Sequence, residues 1–216
     1  MIVARVVSAV IGYICGLFLL GYFIGKKENV DLHNVGSGNV GMTNTARSLG
    51  AKAGAATLIS DVCKVFVAMF VVWLIFHKAY ADQIRLLELY AGLGTVIGHN
   101  FPIYMKGKGG KGIACTGGTL LGFCPIAVPV SLGIFLLLSV ITRYVSLGSI
   151  IGLLSMLVQV IVLGETGHLP VPDAYLPEVY VIIAFITVLG IVRHRANIVR
   201  LVKGTENKFS LHKKEQ

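Results

Sequence analysis

AGAATLISDVCKVFVAMFVVWLIFH, residues 53–77, decides how the rest of the chain is read. A helix that crosses a bilayer needs about 20 mostly apolar residues, and in this run only Asp61 and Lys64 interrupt the hydrophobic sequence. Ionisable groups inside a span are costly, usually paired, and functional by default. Three positions separate these two, so they share a helical face. The expected role is a structural brace, paired with each other or with another helix, rather than chemistry.

Working outward, residues 3–25, 84–105, 126–142, 147–165 and 177–193 meet the same criterion, while 112–124 is apolar but short. The opening run is too long for a signal-peptide core and lacks an A-x-A pattern, so it reads as a retained first span. Apolar residues make up 55 % of the 216, charged residues 13 %, and the mean hydropathy is +0.80. A soluble domain carries about 25 % charged residues. The chain therefore reads as an all-α integral membrane protein, a single transmembrane domain over 1–216 with a polar tail at 204–216.

Its formal charge of +9 suits nucleic acid, anionic lipid or a phosphorylated molecule. So little polar surface argues against nucleic acid and for membrane lipid or a small phosphorylated substrate. Cys15, Cys63, Cys115 and Cys124 sit in or beside apolar stretches without ligand spacing, and no metal site is expected. Lys26, Lys27, Arg47 and Lys52 fall in one loop and Lys106, Lys108 and Lys111 in another. Arg143 lies in a third, and the tail holds Arg193, Arg195, Arg200, Lys203, Lys208, Lys213 and Lys214. The opposite side holds only Arg5, Lys78 and Arg85. Positive residues concentrate on the cytoplasmic face, so the amino terminus should be outside and the carboxyl terminus cytoplasmic. That parity needs seven transmembrane helices, with 113–142 forming a hairpin of a short and a longer helix.

The motif-like segments all fall on that cytoplasmic side. In Gly36-Ser37-Gly38-Asn39-Val40-Gly41-Met42-Thr43-Asn44-Thr45-Ala46-Arg47, the glycines let backbone N–H groups approach a ligand. Ser37, Asn39, Thr43 and Asn44 add hydrogen-bonding groups, and Arg47 offers a planar fork for phosphate. The same letters match G-x-G-x-x-G with Asp61 at the dinucleotide offset. No strand precedes them and Asp61 lies within a span, so that reading is rejected. A second segment, Gly98-His99-Asn100-Phe101-Pro102 followed by Lys106-Gly107-Lys108-Gly109-Gly110-Lys111-Gly112, is a cationic glycine loop able to cradle phosphate. It lacks the Ser or Thr of a Walker loop, and His99, at the end of a span, suits a structural hydrogen bond at least as well as catalysis. Arg143 to Ser149 is by itself a short turn with a basic anchor, although Arg143 and Ser146 are kept among the candidate phosphate contacts. In Arg193-His194-Arg195-Ala196-Asn197-Ile198-Val199-Arg200, a helix would put His194 and Asn197 on one face and Arg193 and Arg200 on another.

Together these segments closely resemble the bacterial acyl-phosphate:glycerol-3-phosphate acyltransferases, marked by SGNxGxTNxxR, GHxFPxxxxxKGGKG and RHxxNIxRLxxGxE. This chain has SGNVGMTNTAR, GHNFPIYMKGKGGKG and RHRANIVRLVKGTE, in order across about 37–206. Met42 and Cys115 replace the family's frequent Ala and Thr without changing any charge. The resemblance implies seven spans in a bacterial cytoplasmic membrane, and acyl transfer from acyl phosphate to the 1-hydroxyl of glycerol 3-phosphate. Lysophosphatidic acid and inorganic phosphate are the products, and no CoA, acyl carrier protein, metal or other cofactor takes part. It also implies that Ser37, Arg47, His194 and Asn197 are needed for the reaction, and that the glycines of the second motif, Gly109, Gly110 and Gly112 among them, serve acyl phosphate. Glu206 would serve integrity. Gly38, Asn39, Gly41, Thr43, Asn44, Lys106, Lys108, Lys111 and Arg200 complete the expected phosphate contacts. Either His194 or a substrate phosphate takes the hydroxyl proton. Two H-x4-D matches, His77 with Asp82 and His168 with Asp173, fall in outer loops and are read as chance. A transporter of organic phosphate is the rival function, but such proteins bind near the midplane, whereas these cations cluster at one face.

Overall fold

In a computed structural model of the chain, which describes residues 1–209, every regular element is a helix. Lys213 and Lys214, counted above in the tail, lie outside the described residues. The helices are α1 (Ile2–Gly16), α2 (Leu20–Lys27), α3 (Met42–Leu49), α4 (Ala51–Phe76), α5 (Ile84–Asn100), α6 (Ile113–Phe123), α7 (Val128–Thr142), α8 (Val145–Glu165), α9 (Leu176–Arg193) and α10 (Arg195–Val202).

Five helical stretches among the described residues are long and apolar enough to cross a bilayer: Ile2–Lys27, Ala51–Phe76, Pro125–Thr142, Val145–Glu165 and Asp173–Arg193. The first is two helices, because Leu19 between α1 and α2 is extended (φ −112°, ψ 91°). The expected span 84–105 stops at Asn100. Phe101 precedes Pro102, whose ring disfavours the helical backbone at the residue before it, and Phe101 sits at φ −130°, ψ 59°. The 17 residues of α5 extend about 25 Å and the 11 of α6 about 16 Å, against a hydrocarbon core of about 30 Å.

Water does not drive helices together inside lipid, so close backbone approach through small residues does much of the work. The seam between α1 and α5 shows this. A Cβ on Gly12 would stand 2.0 Å from the Ala91 carbonyl oxygen, and one on Gly94 2.0 Å from that of Ala9. Near the opposite end from the motifs, Arg5 Nε and Nη2 donate to the two carboxylate oxygens of Glu178, each at 2.5 Å. Tyr90 OH donates to the same carboxylate at 2.6 Å, so α1, α5 and α9 are tied together.

Leu86, Leu89, Leu120, Phe123, Leu153, Met156, Val160 and Ile183 belong to one packed core, and Val65, Val72, Leu87 and Cys115 to another. Phe66, Val67, Phe70, Leu136, Leu137 and Val140 are exposed, as lipid-facing side chains should be. Of α7 only Ser131 is buried. This helix leans on α8 and leaves a cleft towards α4 and α6.

Candidate active site

Three loops and the α9–α10 junction converge at one end of that cleft. Asn44 shapes the first loop. Its Oδ1 accepts from the Ser37 N–H (2.7 Å), and its Nδ2 donates to the Leu32 and Val35 carbonyls (3.1 and 3.0 Å). Asn44 touches the cavity wall, but these bonds commit its polar atoms to folding the loop around Gly36 and Gly38, which take φ +59° and +70°. Asn39 caps the turn by accepting from the Gly41 N–H at 2.9 Å. Ser37, Asn39, Gly41, Thr43 and Arg47 line the cavity, whereas Gly38 does not.

The glycine loop is held from above and below. The Gly109 N–H donates to the Asn100 carbonyl and the Gly110 N–H to that of His99. Arg193 donates back to the loop, Nη2 to the Gly109 and Gly110 carbonyls (both 2.9 Å) and Nε to Gly110 (3.1 Å). Its guanidinium stacks 5.2 Å from the Phe101 ring centre. A side chain at Gly110 would collide with the His99 ring, 1.9 Å from its Nε2. His33 adds a link from the first loop, with Nε2 2.8 Å from the Lys108 carbonyl and Nδ1 3.0 Å from Asp31 Oδ1.

The three lysines of this loop do not converge. Lys106 and Lys108 are exposed and off the cavity wall, while Lys111 and Gly112 line it. Lys106 itself is left-handed (φ +51°) and, with Gly107 at φ +74°, turns that stretch away. Arg143 likewise is off the cavity wall. It is exposed, takes φ +61°, and its carbonyl accepts from the Phe209 N–H at 2.8 Å.

Glu206 organises the fourth segment. Its Oε1 accepts from Asn197 Nδ2 (2.6 Å) and Ser146 Oγ (3.0 Å), and its Oε2 from Arg200 Nε (2.7 Å). Asn197 Oδ1 in turn accepts from Lys111 Nζ at 2.5 Å. Arg200 thus stands behind Glu206 rather than on the wall. His194 is buried, with Nδ1 2.7 Å from the Gly190 carbonyl. A carbonyl oxygen only accepts, so Nδ1 carries the proton and Nε2 keeps its lone pair.

Electrostatics follow from crowding cations in a partly dry cleft. Burial, with Arg200, Arg193 and Arg47 adding repulsion, lowers the Lys111 pKa from 10.5 to about 8 despite the Glu206 charge. Burial and Lys111 lower His194 to about 4, and burial lowers Arg47 from its ordinary value. Each of these groups would be relieved by an arriving anion.

Beside them the Asp61–Lys64 brace is visible. Lys64 Nζ donates to Asp61 Oδ1 at 2.7 Å, to the Phe18 carbonyl at 2.9 Å, and lies 2.8 Å from His99 Nδ1. Asp61, His99 and Cys115 present metal-ligand atoms within 4.8 Å of one another. The Lys64 ammonium already occupies the Asp61 and His99 atoms, so the cluster is satisfied by a protein cation.

The cavity holds about 380 Å³, is only partly enclosed, with Leu58, Leu121 and Leu132 on its wall exposed, and changes character along its length. Ser37, Arg47, Asp61, His99, Lys111, His194, Asn197 and Glu206 stand at its polar end, the Asp61 carboxylate paired with Lys64 and that of Glu206 with Arg200. Leu120, Leu121, Val128, Leu132, Phe135, Leu153 and Met156 line the rest. An amphiphile with an anionic head and an apolar chain matches that wall. Arg193, His33 and His99, outside the expected site residues, prove to hold its loops. The basic Arg193 beside His194 was the available signal for the first, and nothing in the sequence marked His33.

Comparison with known proteins agrees with this shape. A family model described as glycerol-3-phosphate acyltransferase matches residues 6–204. Curated relatives named glycerol-3-phosphate acyltransferase include one from Clostridioides difficile, 35 % identical with 98 % of each chain covered. Another, from Halalkalibacterium halodurans, is 40 % identical over 93 % of each. Among solved structures, the crystal structure of an integral membrane glycerol 3-phosphate acyltransferase in its glycerol 3-phosphate form superposes with a TM-score of 0.81. That chain is 33 % identical, and the match covers 95 % of this chain and 96 % of that one. The lysophosphatidic acid form gives 0.78 at 31 % identity.

Proposed function

The chain belongs to the glycerol-3-phosphate acyltransferase family, and from that premise we propose that it acylates glycerol 3-phosphate with acyl phosphate as the donor. The observation that carries the reading is the cavity itself, a cationic end joined to an apolar cleft of membrane-chain character. Acyl phosphate is a mixed anhydride, already activated, so no covalent enzyme intermediate is required. The protein has to bring two phosphates together, exclude water and stabilise the phosphate that leaves. Arg47 and Lys111 supply the positive field for both anions, and Ser37 donates a hydroxyl hydrogen bond. The hydroxyl oxygen of glycerol 3-phosphate attacks the acyl carbon, the carbon–oxygen bond to phosphate breaks, and inorganic phosphate departs.

His194 Nε2 accepts a hydrogen bond from the attacking hydroxyl and orients it. A group whose pKa is about 4 before substrate arrives is a weak proton acceptor at neutral pH. A substrate phosphate oxygen, held among the same cations beside the attacking hydroxyl, takes the proton. Asn197 holds the Lys111 ammonium against the cavity wall, and Glu206 fixes Asn197 and Ser146. The single domain crosses a bacterial cytoplasmic membrane seven times, with α5 and α6 completing the count, the amino terminus outside and the site on the cytoplasmic face, where the lysines and arginines concentrate.

The test is donor choice. Purified protein in detergent is given glycerol 3-phosphate with palmitoyl phosphate, palmitoyl-CoA or palmitoyl acyl carrier protein. Turnover with the phosphate alone is expected. Turnover with either thioester and none with the phosphate would overturn the donor assignment.

A further inference from the structure

The apolar part of the cavity has a floor. Along α8 its lining runs Ser146, Ser149, Gly152, Leu153, Met156 and then stops. At 1.5 Å per residue, Ser146 to Met156 is about 15 Å, close to half of a hydrocarbon core about 30 Å thick. Met156, Leu120 and Leu153 also belong to the packed core that contains Phe123, Ala127 and Val160, with Val128 packed against it. The space below the cavity is therefore filled. Just beyond Met156, Gln159 Nε2 donates to Ser131 Oγ at 2.6 Å and to Ser155 Oγ at 2.9 Å. That bridge ties α8 to α7 at the depth of the floor. Ser131 lines the cavity and Gln159 stands behind it. A chain forced into the seam there would separate hydrogen-bonded groups that have no water to turn to.

We propose that Met156, with Val128 beside it, is the stop that sets the longest acyl chain the site accepts, and that the Gln159–Ser131 bridge keeps the chain from passing between α7 and α8. The assignment rests on the acyl-donor reading above. Methionine suits such a place because an unbranched, buried side chain (3 % exposed) fills space adaptably.

The experiment compares kcat/KM for lauroyl, palmitoyl, stearoyl and arachidoyl phosphates in purified protein. Met156→Ala should raise the palmitoyl-to-lauroyl ratio by about tenfold, the scale of pocket discrimination for small changes in apolar length, since an extended palmitoyl chain is longer than the lined stretch. Val128→Phe, which fills the floor from α7, should lower the stearoyl-to-lauroyl ratio by a similar factor and serves if Met156→Ala fails to fold. Gln159→Leu should relax the upper limit in the same direction as Met156→Ala. Rates that change equally for all four donors would overturn the assignment, showing that these residues only pack the helices and that the chain leaves sideways past the exposed Leu121 and Leu132. No turnover of any acyl phosphate by the unsubstituted protein would instead refute the donor reading and the chain-length assignment with it.

Discussion

Arg193→Ala should damage acyl-donor binding far more than its position outside the cavity wall suggests. The guanidinium makes three N–H···O bonds of 2.9–3.1 Å to the carbonyls of Gly109 and Gly110 and covers Phe101. Hydrogen bonds from charged groups contribute about 1.5–3 kcal/mol each, and buried carbonyls left unpaired cost about 1–3 kcal/mol. Arg193 is only half-buried, so water will recover part of this loss. Counting about 1.5 kcal/mol for each of the two carbonyls gives about 3 kcal/mol, which the loop must spend to regain its shape. Each 1.4 kcal/mol is tenfold, so KM for acyl phosphate should rise about 100-fold. Initial rates with each substrate varied in turn would measure it. Arg193→Lys should recover little, since a single ammonium cannot make the same forked contacts. An unchanged donor KM in folded protein would refute the clamp, and so would an equal rise in both KM values.

Lys111 gives a pH prediction. Its charge serves the site, and its pKa of about 8 in the free protein means kcat/KM should fall as pH rises through that value. Lys111→Arg should move the alkaline limb upward, and a limb unchanged by it would exclude Lys111 as its origin. Stability has the opposite sign. The folded pKa lies below the unfolded 10.5, so the unfolded chain binds more protons between about 8 and 10.5, and this group's contribution makes the fold more stable as pH rises through that window. Thermal unfolding at pH 8 and pH 10, compared between wild type and Lys111→Met, isolates it. His194→Gln should slow turnover without altering the shape of the pH–rate profile, whereas loss of an acid limb would make His194 the proton acceptor. Glu206→Gln should lower the unfolding temperature as well as the rate, because it weakens the charged bond from Arg200 and disturbs those from Asn197 and Ser146. A rate loss with no change in unfolding temperature would contradict its structural role. Gly94→Val should prevent folded protein from accumulating, since even a Cβ there meets the Ala9 carbonyl at 2.0 Å, and a normal yield would refute that contact.

Hydropathy made α4, α7, α8 and α9 legible because lipid-facing and buried positions are both apolar in a membrane helix. It placed the start of α5 at residue 84 but not its end, where Pro102 rather than polarity stops the helix. Residue type located the cationic loops but could not rank their members. Lys106, Lys108 and Lys111 are chemically identical, and only the left-handed turn at Lys106 and Gly107 leaves the third alone on the cavity wall. Asn44 read as a ligand contact because a carboxamide suits either role, and its three bonds to Ser37, Leu32 and Val35 depend on a loop path that no local pattern encodes. Asp61 and Lys64 were legible as a pair because helical spacing alone brings them together. Their contact with His99 joins residues 35 positions apart and had no local signal.

The most direct test of the account uses purified protein in lipid, palmitoyl phosphate and labelled glycerol 3-phosphate, following lysophosphatidic acid and phosphate together in wild type and Arg47→Ala. Equimolar formation of both products, abolished in the folded variant, is predicted. Undiminished turnover in Arg47→Ala, or uptake of label into liposomes without acylation, would contradict a catalytic site at the cationic end of the cavity.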